Sequence, residues 1–212
     1  MISIAQKLAE IALELQVVKL SPDKPFTWTS GYKMPIYNDN RLFLSDAEHR
    51  QTIAEGFVNL IQKNELQFDV IAGTATAGIP HATTLADMLR LPLVYVRSTA
   101  KGHGMKNLVE GGLKAGQKVL VIEDLISTGG SSIAAVNGLR EQEAIVDTCL
   151  SIFTYGFSKA SEKFQENNCA SFSLLTFPVL LEVAIEKKYI TEAQAEDLRS
   201  WQDSPFTWGE GK

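Results

Sequence analysis

Short apolar runs of strand-forming residues alternate with helical segments through most of the chain, and this alternation constrains its fold more than any other feature. The predicted strands span residues 68–73, 92–97, 118–124, 145–154 and 172–177, and the predicted helices span 81–89, 131–142 and 178–188. Continuous β-branched runs separated by helices predict an α/β fold, in which a mostly parallel central sheet is flanked by helices. Ligands of such sheets bind beyond the carboxyl ends of the strands. The segments 73–80, 97–112 and 123–131 and the end of the 145–154 strand are therefore candidate parts of a site.

The N-terminal part of the chain has a different pattern. Residues 2–18 place Ile4, Leu8, Ile11, Leu15 and Val18 at helical spacing, which predicts an amphipathic helix. Turn-forming residues follow at 21–25 and end that helix. Segment 26–39 mixes strand formers with Gly31 and Pro35, which predicts short strands and tight loops.

Two capping boxes mark helix starts. Ser45 is followed three residues later by Glu48, which predicts Ser45 as the N-cap of a helix that ends near Asn64. Thr191 and Gln194 have the same spacing and predict the start of the last helix. The sequence shows no linker and no low-complexity tract, so we expect one domain over residues 1–212.

Charge and cysteine content narrow the classes of function. The 212 residues include 20 Lys and Arg against 25 Asp and Glu, a net charge of −5, which argues against a nucleic-acid partner. Cys149 and Cys169 are too few for a disulfide scaffold and are predicted to be reduced thiols. The N-terminus lacks a signal-peptide pattern, and the longest near-apolar run, 174–185, is too short to span a membrane. We therefore expect a cytoplasmic protein without a membrane partner.

The strongest local motif is the stretch Val119–Ser131. A predicted buried strand delivers Glu123 and Asp124 at its carboxyl end, and a Ser/Thr/Gly turn then leads directly into a helix. Backbone N–H groups, hydroxyls and the helix N-terminus form a cradle suited to a phosphate. Carboxylates beside a phosphate fit sugar hydroxyls or Mg²⁺. The alternative is a plain helix-capping turn with two solvated acids.

Two further segments follow predicted strands. Gly73–Pro80 has the glycine spacing of a Walker loop, but Ile79 and Pro80 stand where Lys and Ser/Thr are required, so it is no triphosphate-binding loop. Its small residues would let a diphosphate approach the backbone, although a plain strand-to-helix turn fits equally. Segment 97–112 has basic residues and four glycines, which is typical of a lid over an anionic leaving group, or else of a disordered surface loop.

Two weaker patterns have structural interpretations. Asn38-Asp39-Asn40-Arg41 resembles part of a calcium loop, but no bidentate Glu follows at the required distance, so a turn is expected. Ser127 has no evident histidine partner in the sequence and is not interpreted as a hydrolase nucleophile.

These motifs together resemble a known enzyme family. Residues 119–131 are similar to the phosphoribosyl diphosphate (PRPP) signature of type I phosphoribosyltransferases. Residues 26–37, Phe-Thr-Trp-Thr-Ser-Gly-Tyr-Lys-Met-Pro-Ile-Tyr, resemble the base-binding segment of the orotate phosphoribosyltransferases, and 97–104, with Lys-Gly-His-Gly, resemble their catalytic lid. The resemblance implies the type I fold, with a hood from residues 1–44 and part of 156–212, and a PRPP-binding core over 45–155.

The resemblance also implies a reaction and its residues. The reaction transfers the 5-phosphoribosyl group from PRPP to orotate with Mg²⁺, giving orotidine 5′-phosphate and diphosphate in pyrimidine (UMP) biosynthesis. By position in the motifs, the implied catalytic residues are Lys101, His103 and Asp124, and the implied PRPP-binding residues are Arg97, Lys101, His103, Glu123, Asp124, Leu125, Ile126, Ser127, Thr128, Gly129, Gly130 and Ser131. Ser127 also matches the position that adjoins orotate. Mg²⁺ is expected mainly through PRPP, so no protein ligand is assigned to it.

Family members are homodimers in which each lid closes over the neighbouring site, and the same arrangement is expected here. Two departures stand out. Ser98 follows the lid Arg97 where many members have Lys, and the stretch 153–157 lacks an Arg that some members use for orotate. Two alternatives remain: a phosphoribosyltransferase for another base, or a PRPP-sensing regulator of the same fold.

Overall fold

The computed structural model describes residues 3–27, 31–98 and 108–210. Its helices are α1 (Ile4–Glu14), α2 (Ala47–Lys63), α3 (Gly78–Leu89), α4 (Gly130–Arg140), α5 (Ser158–Glu166), α6 (Phe177–Glu186) and α7 (Glu192–Asp203), with a 3₁₀ helix at Asn40–Ser45. Its strands are β1 (Val18–Leu20), β2 (Phe26–Thr27), β3 (Lys33–Met34), β4 (Ile36–Asn38), β5 (Val70–Thr74), β6 (Leu93–Val96), β7 (Val109–Glu110), β8 (Lys118–Ile126), β9 (Ile145–Thr154) and β10 (Ala170–Thr176). The predicted α/β class is confirmed.

Six of these strands form the central sheet, in the order β10-β9-β8-β5-β6-β7. The pairs from β10 to β6 are parallel, and only the short edge strand β7 runs antiparallel to its neighbour. Strand β8 lies between β9 and β5, at the centre of the sheet. Because parallel neighbours end at the same edge, the segments after β5, β6 and β8 meet there, as the strand pattern predicts.

Side chains that alternate along the central strands form a core on each face of the sheet. Ile71, Leu120 and Ile122 pack with α1, α2, α3, α6 and α7, whereas Val119 and Val121 pack with α4 and α5 on the other face. All five side chains are buried. Burial on both faces explains why these strands appear in the sequence as continuous apolar runs.

Both ends of the chain meet beside this sheet. Strand β1 pairs with β4, and β2 pairs with β3. Helix α7 closes over them, since Trp201 is fully buried and donates from Nε1 to Met34 Sδ at 3.0 Å. The Tyr32 and Phe206 rings lie edge to face, 5.3 Å between centroids. These contacts form the small hood expected of this fold.

Some element boundaries differ from the sequence prediction. Helix α1 ends at Glu14 because Gln16 adopts a left-handed conformation, φ 55°, and Val18 begins β1 instead of extending the helix. Asp46, not Ser45, caps α2 and accepts from the backbone N–H of Glu48 at 2.9 Å. The Thr191 capping box is confirmed.

Helix α5 was not predicted. Its nine residues are mainly polar, and among them only Ala160 and Phe164 are buried, so the segment lacks a strong apolar stripe. Cys149 and Cys169 are both buried and free, as predicted.

Candidate active site

A cavity of about 410 Å³ opens where β5, β6 and β8 end. Its lining comes from three of the four segments that the strand pattern singled out, together with Val96, Ala134 and Ala135; the lining residues from those segments are Thr74, Ala75, Arg97, Ser98, Leu108, Glu123, Asp124, Leu125, Ser127, Thr128, Gly129, Gly130 and Ser131. A cavity of about 470 Å³ lies beside β10, but its described lining has a single cation, Lys63, and no carboxylate. The acid pair therefore distinguishes the cavity at the strand ends.

The turn between β8 and α4 forms one wall of this cavity. Gly129 precedes α4 in a left-handed conformation, φ 73°, which glycine adopts readily. An ideal Cβ at this position would lie 3.3 Å from the Phe164 ring, so the close packing also favours glycine. No side chain in the described structure caps α4. The free N–H groups of a first helical turn attract anions, and here they face the cavity.

Strand β8 continues two residues beyond the predicted end, through Leu125 and Ile126. Leu125 lines the cavity, whereas the Ile126 side chain is buried in the core and does not line it. The Ile126 carbonyl accepts from Thr154 Oγ1 and from the backbone N–H of Tyr155, each at 3.2 Å. The geometry thus ties Ile126 to β9.

Glu123 is buried and held by three donors. Thr74 Oγ1 donates to its Oε1 at 2.6 Å, Ser132 Oγ donates to Oε2 at 3.0 Å, and the Asp124 N–H donates to Oε1 at 3.1 Å. Burial raises the pKa of the Glu123 carboxyl well above its usual range, and the hydrogen bond from Thr74 opposes that shift. Glu123 therefore joins the β5 turn, β8 and α4 around the cavity.

Asp124 lines the cavity and is held from the hood side. Asn40, on the 3₁₀ helix, donates from Nδ2 to the Asp124 carbonyl at 2.8 Å and lies 3.4 Å from its Oδ2. Sequence reasoning placed Asn40 in a turn, and Asp39 does cap the 3₁₀ helix, but the contact with Asp124 was missed. The two residues are 84 positions apart, so no local pattern indicates the contact.

Arg97 brings a positive charge to the opposite wall. Its N–H donates to the Leu108 carbonyl at 2.8 Å, and its Nη1 lies 3.5 Å from Glu110 Oε1. Its side chain is about 29% exposed, so the guanidinium is partly desolvated beside the cavity. Lys101 and His103, which were predicted to belong to the lid, lie outside the described residues.

The turn between β5 and α3 contributes Thr74 and Ala75 to the lining. Its glycines serve packing: an ideal Cβ at Gly78 would lie 2.5 Å from Thr74 Oγ1 and 2.6 Å from the Ile122 carbonyl. An ideal Cβ at Gly73 would lie 2.8 Å from Ile79 Cα. The small residues therefore let α3 approach β5 and β8 closely.

Lys163 on α5 is a second residue that the sequence did not indicate. An ideal Cβ at Gly130 would lie 3.7 Å from Lys163 Nζ, so the ammonium group sits at the start of α4. It adds a full positive charge beside the uncapped helix N-terminus. The signal was hidden because α5 itself was not predicted.

His81 on α3 lies behind the acid pair. It is about 1% exposed, and neither ring nitrogen has a hydrogen-bond partner in the described structure. Burial lowers the pKa of His81 to about 4, and Arg50 adds to this effect, whereas the Asp124 carboxylate opposes it. The imidazole is therefore neutral in the folded protein at pH 7.

The predicted base-binding segment is described only in part. Residues 28–30 lie outside the described ranges, and Gly31 follows them with φ 85°. The stretch 153–157 is fixed by its neighbours: Gly156 donates its N–H to Thr154 Oγ1 at 3.0 Å, and Gln202 Nε2 donates to the Tyr155 carbonyl at 2.6 Å. The α7 side of the hood thus holds the segment that lacks the expected Arg.

The donor set suits a cation held jointly by protein and substrate. Within the described ranges, no group of three or more His, Cys, Asp or Glu side chains could hold a metal ion. Mg²⁺ commonly binds through one or two carboxylates together with substrate phosphates. Asp124 fits that role, since it lines the cavity, whereas both Glu123 oxygens already accept hydrogen bonds.

No helix in the described ranges has both the length and the apolar character needed to cross a bilayer.

Comparison with known proteins gives consistent matches over nearly the whole chain. Residues 46–181 match the family model described as "Phosphoribosyl transferase domain". The chain is 50% identical over 207 residues to an orotate phosphoribosyltransferase of Listeria innocua, covering 98% of this chain and 99% of that protein.

Two solved structures are similar in fold. A crystal structure of orotate phosphoribosyltransferase from Aeropyrum pernix superposes with a TM-score of 0.75 at 28% identity, covering 87% of this chain and 99% of that one. The structure of Leishmania donovani UMP synthase superposes with a TM-score of 0.79 at 25% identity, covering 93% of this chain and 42% of that one. The described site residues thus lie in a scaffold shared with these proteins.

Proposed function

This chain belongs to the phosphoribosyltransferase family and, within it, to the orotate phosphoribosyltransferases; from this premise we propose that it transfers the 5-phosphoribosyl group of PRPP to orotate. The products are orotidine 5′-phosphate and diphosphate, in a step of pyrimidine nucleotide synthesis. One observation carries the proposal: an acid pair and an uncapped helix N-terminus meet in one cavity at the end of the central strand.

Each part of PRPP has a complementary wall. The 5′-phosphate fits the turn Ser127–Ser131, where N–H groups, hydroxyls and Lys163 supply positive potential. The ribose hydroxyls fit Asp124, which accepts hydrogen bonds. The diphosphate fits between the turn at 74–75 and the Arg97 guanidinium.

Glu123 and Leu125 complete the binding turn, whereas Ile126 acts through its backbone, since its side chain is buried. Ser127 is the first residue of the phosphate turn and adjoins the position proposed for orotate. The base segment 26–37 and the hood, residues 1–44 with part of 156–212, close over the core of residues 45–155.

The chemistry requires charge stabilisation more than covalent help. Breaking the bond from C1 to diphosphate leaves a sugar with oxocarbenium character and a highly charged leaving group. Arg97 stabilises that negative charge from its side of the cavity, and Lys101 and His103 stabilise it further from the lid. Orotate is already anionic, so no strong base is required, and exclusion of water keeps the sugar from hydrolysis.

Mg²⁺ is proposed as the cofactor, and Asp124 is the protein carboxylate that would help to hold it together with PRPP. When bound with PRPP it would supply Lewis-acid stabilisation of the departing diphosphate. We also propose a cytoplasmic homodimer in which the lid of one subunit closes over the neighbouring site. A sedimentation measurement of a single chain mass at working concentration would contradict the dimer.

The test of the function is a base panel with PRPP, in which loss of orotate is followed by absorbance. We expect turnover with orotate and Mg²⁺, little with adenine or xanthine, and loss of turnover on addition of EDTA. Turnover with another base and none with orotate would replace the proposed substrate. PRPP binding without turnover of any base would favour a regulator.

A lid variant tests the proposed role of Lys101. Because Lys101 is proposed to act on the leaving charge, Lys101→Ala should lower kcat by roughly 30-fold to 1000-fold, judged from the loss of an oxyanion-hole donor. The apparent affinity for PRPP should change much less. An unchanged kcat with only a raised KM would reject the role, and Lys114→Ala, on the exposed turn before β8, is the control.

A further inference from the structure

A buried amide contacts the acid that is proposed to hold the ribose. Asn40 is about 2% exposed, and its Nδ2 donates to the Asp124 carbonyl at 2.8 Å and lies 3.4 Å from Asp124 Oδ2. A hydrogen bond to a charged group away from water contributes more than one on the surface. The contact joins the 3₁₀ helix, which follows β4, to the catalytic end of β8.

The orientation of this amide follows from its partners. Asn38 donates from Nδ2 to Asn40 Oδ1 at 3.2 Å, so Oδ1 is the accepting end. The Asp124 carbonyl only accepts, as does its carboxylate when ionised, so the Asn40 NH₂ group must face them. A flipped amide would set its oxygen against the Asp124 oxygens and its NH₂ group against the Asn38 NH₂ group.

The 3₁₀ helix that carries Asn40 is itself anchored. Asp39 donates its N–H to the Val17 carbonyl at 2.7 Å, and its carboxylate binds Arg41 Nε at 2.6 Å and Arg41 Nη2 at 2.8 Å. The Asp39 side chain also caps the helix through the Arg41 N–H. Asn40 therefore presents its amide from a fixed backbone.

We propose that Asn40 is a positioning residue that orients the Asp124 carboxylate toward the ribose hydroxyls of PRPP. The inference rests on the proposed function and extends it to a residue outside the PRPP signature. Because the 3₁₀ helix follows directly on the segment proposed to hold the base, Asn40 links base binding to the geometry of the ribose acid. Asn40 touches no substrate in this arrangement and acts only through Asp124.

Two substitutions separate this role from simple packing. Asn40→Ala removes the donor and should lower kcat/KM for PRPP by roughly 10-fold to 100-fold, the range for one hydrogen bond to a charged group. Asn40→Asp keeps the size of the side chain but replaces the donating NH₂ group with a carboxylate oxygen that faces the Asp124 oxygens. It should lower kcat/KM at least as much as Asn40→Ala, whereas a purely packing role would tolerate this change.

Asn64→Asp is the matched control, since Asn64 ends α2 and donates to the Leu60 carbonyl at 2.8 Å, away from the cavity lining. Its kcat/KM for PRPP should equal that of wild type.

A double-mutant cycle covers the case in which Asn40→Ala also loses stability. In an Asp124→Asn background, Asn40→Ala should have little further effect on ribose 5-phosphate binding measured by calorimetry, because the two residues act through one group. Additive losses, or a kcat/KM of Asn40→Asp equal to that of wild type, would overturn the inference. Failure of the wild type to use orotate would instead refute the proposed function, while the binding cycle still tests Asn40.

Discussion

Two strand-to-helix turns border the same cavity, yet they use their glycines in opposite ways. In the β5–α3 turn, Gly78 lies against Thr74 and the Ile122 carbonyl, where an ideal Cβ would be closer than 2.7 Å to both oxygens. In the β8–α4 turn, the nearest atom to an ideal Cβ at Gly130 is Lys163 Nζ, 3.7 Å away. One glycine brings protein elements together, and the other leaves room beside a charged group.

This difference teaches that a glycine motif alone does not identify a ligand loop. Both turns follow a buried strand and begin a helix without a side-chain cap. What separates them is the tertiary neighbour: the backbone of β8 in one case and the side chain of Lys163 in the other.

The largest expected effect is on stability at the β5–α3 turn. Gly78→Ala should lower the free energy of unfolding by about 3 kcal/mol, because its methyl group meets backbone that cannot move aside easily. Urea denaturation followed by circular dichroism measures the change.

Gly130→Ala is the matched control at the other turn. Its methyl group meets only side-chain atoms at ordinary contact distance, Lys163 Nζ at 3.7 Å and Thr128 Oγ1 at 4.0 Å, so stability should change by less than about 1 kcal/mol. Equal losses in the two variants would remove the contrast between the turns.

A smaller effect concerns pH, because the two turns have buried groups with opposite pKa shifts. His81 on α3 has its pKa lowered from 6.5 to about 4, so the unfolded chain binds more protons below pH 6.5 and stability is lost as the pH falls. Glu123 on β8 has its pKa raised above 4.5, so the folded chain binds more protons and stability is lost as the pH rises. Between pH 5 and 6 the two effects oppose each other.

Removing either group should reveal the pH dependence of stability that the other group causes. His81→Leu should make stability fall with rising pH in that window, and Glu123→Gln should make it rise, each by about 1 kcal/mol per pH unit. Denaturation midpoints at pH 5.0, 5.5 and 6.0 measure the slopes. Identical slopes in both variants and wild type would show that these groups titrate normally in the folded protein.

The smallest effect concerns Lys163 beside the β8–α4 turn. Because its ammonium group is partly exposed, Lys163→Ala should raise KM for PRPP only threefold to fivefold or so, with kcat unchanged. Lys159→Ala is the control, because Lys159 is on the same helix and its Nζ lies over the Phe206 ring, 6.0 Å from the ring centroid. An effect of Lys159→Ala equal to that of Lys163→Ala would mean that general charge, not the position of Lys163, matters.

Local pattern was sufficient for the central strands and the acid turn. Strand β9 begins and ends where the predicted strand 145–154 does, and its residues 148–153 are buried on both faces of the sheet. The prediction was poorer where polar segments fold against neighbours, as in α5, and at Asp46, which replaced Ser45 as the cap of α2. Which residue caps a helix depends on the exact backbone path, and two neighbouring residues with similar side chains differ in that geometry.

The amino-acid sequence by itself determined the order of strands and helices, the site at their carboxyl ends and the identity of the acid pair, because periodicity and motif spacing are local properties. Tertiary structure alone decided that Asn40 meets Asp124, that Lys163 reaches the start of α4 and that Gly78 is needed for packing. Asn40 and Asp124 are 84 positions apart, Gly130 and Lys163 are 33 apart, and Gly78 and Ile122 are 44 apart. Chain folding brings such residues together, and no rule based on spacing along the sequence predicts these contacts.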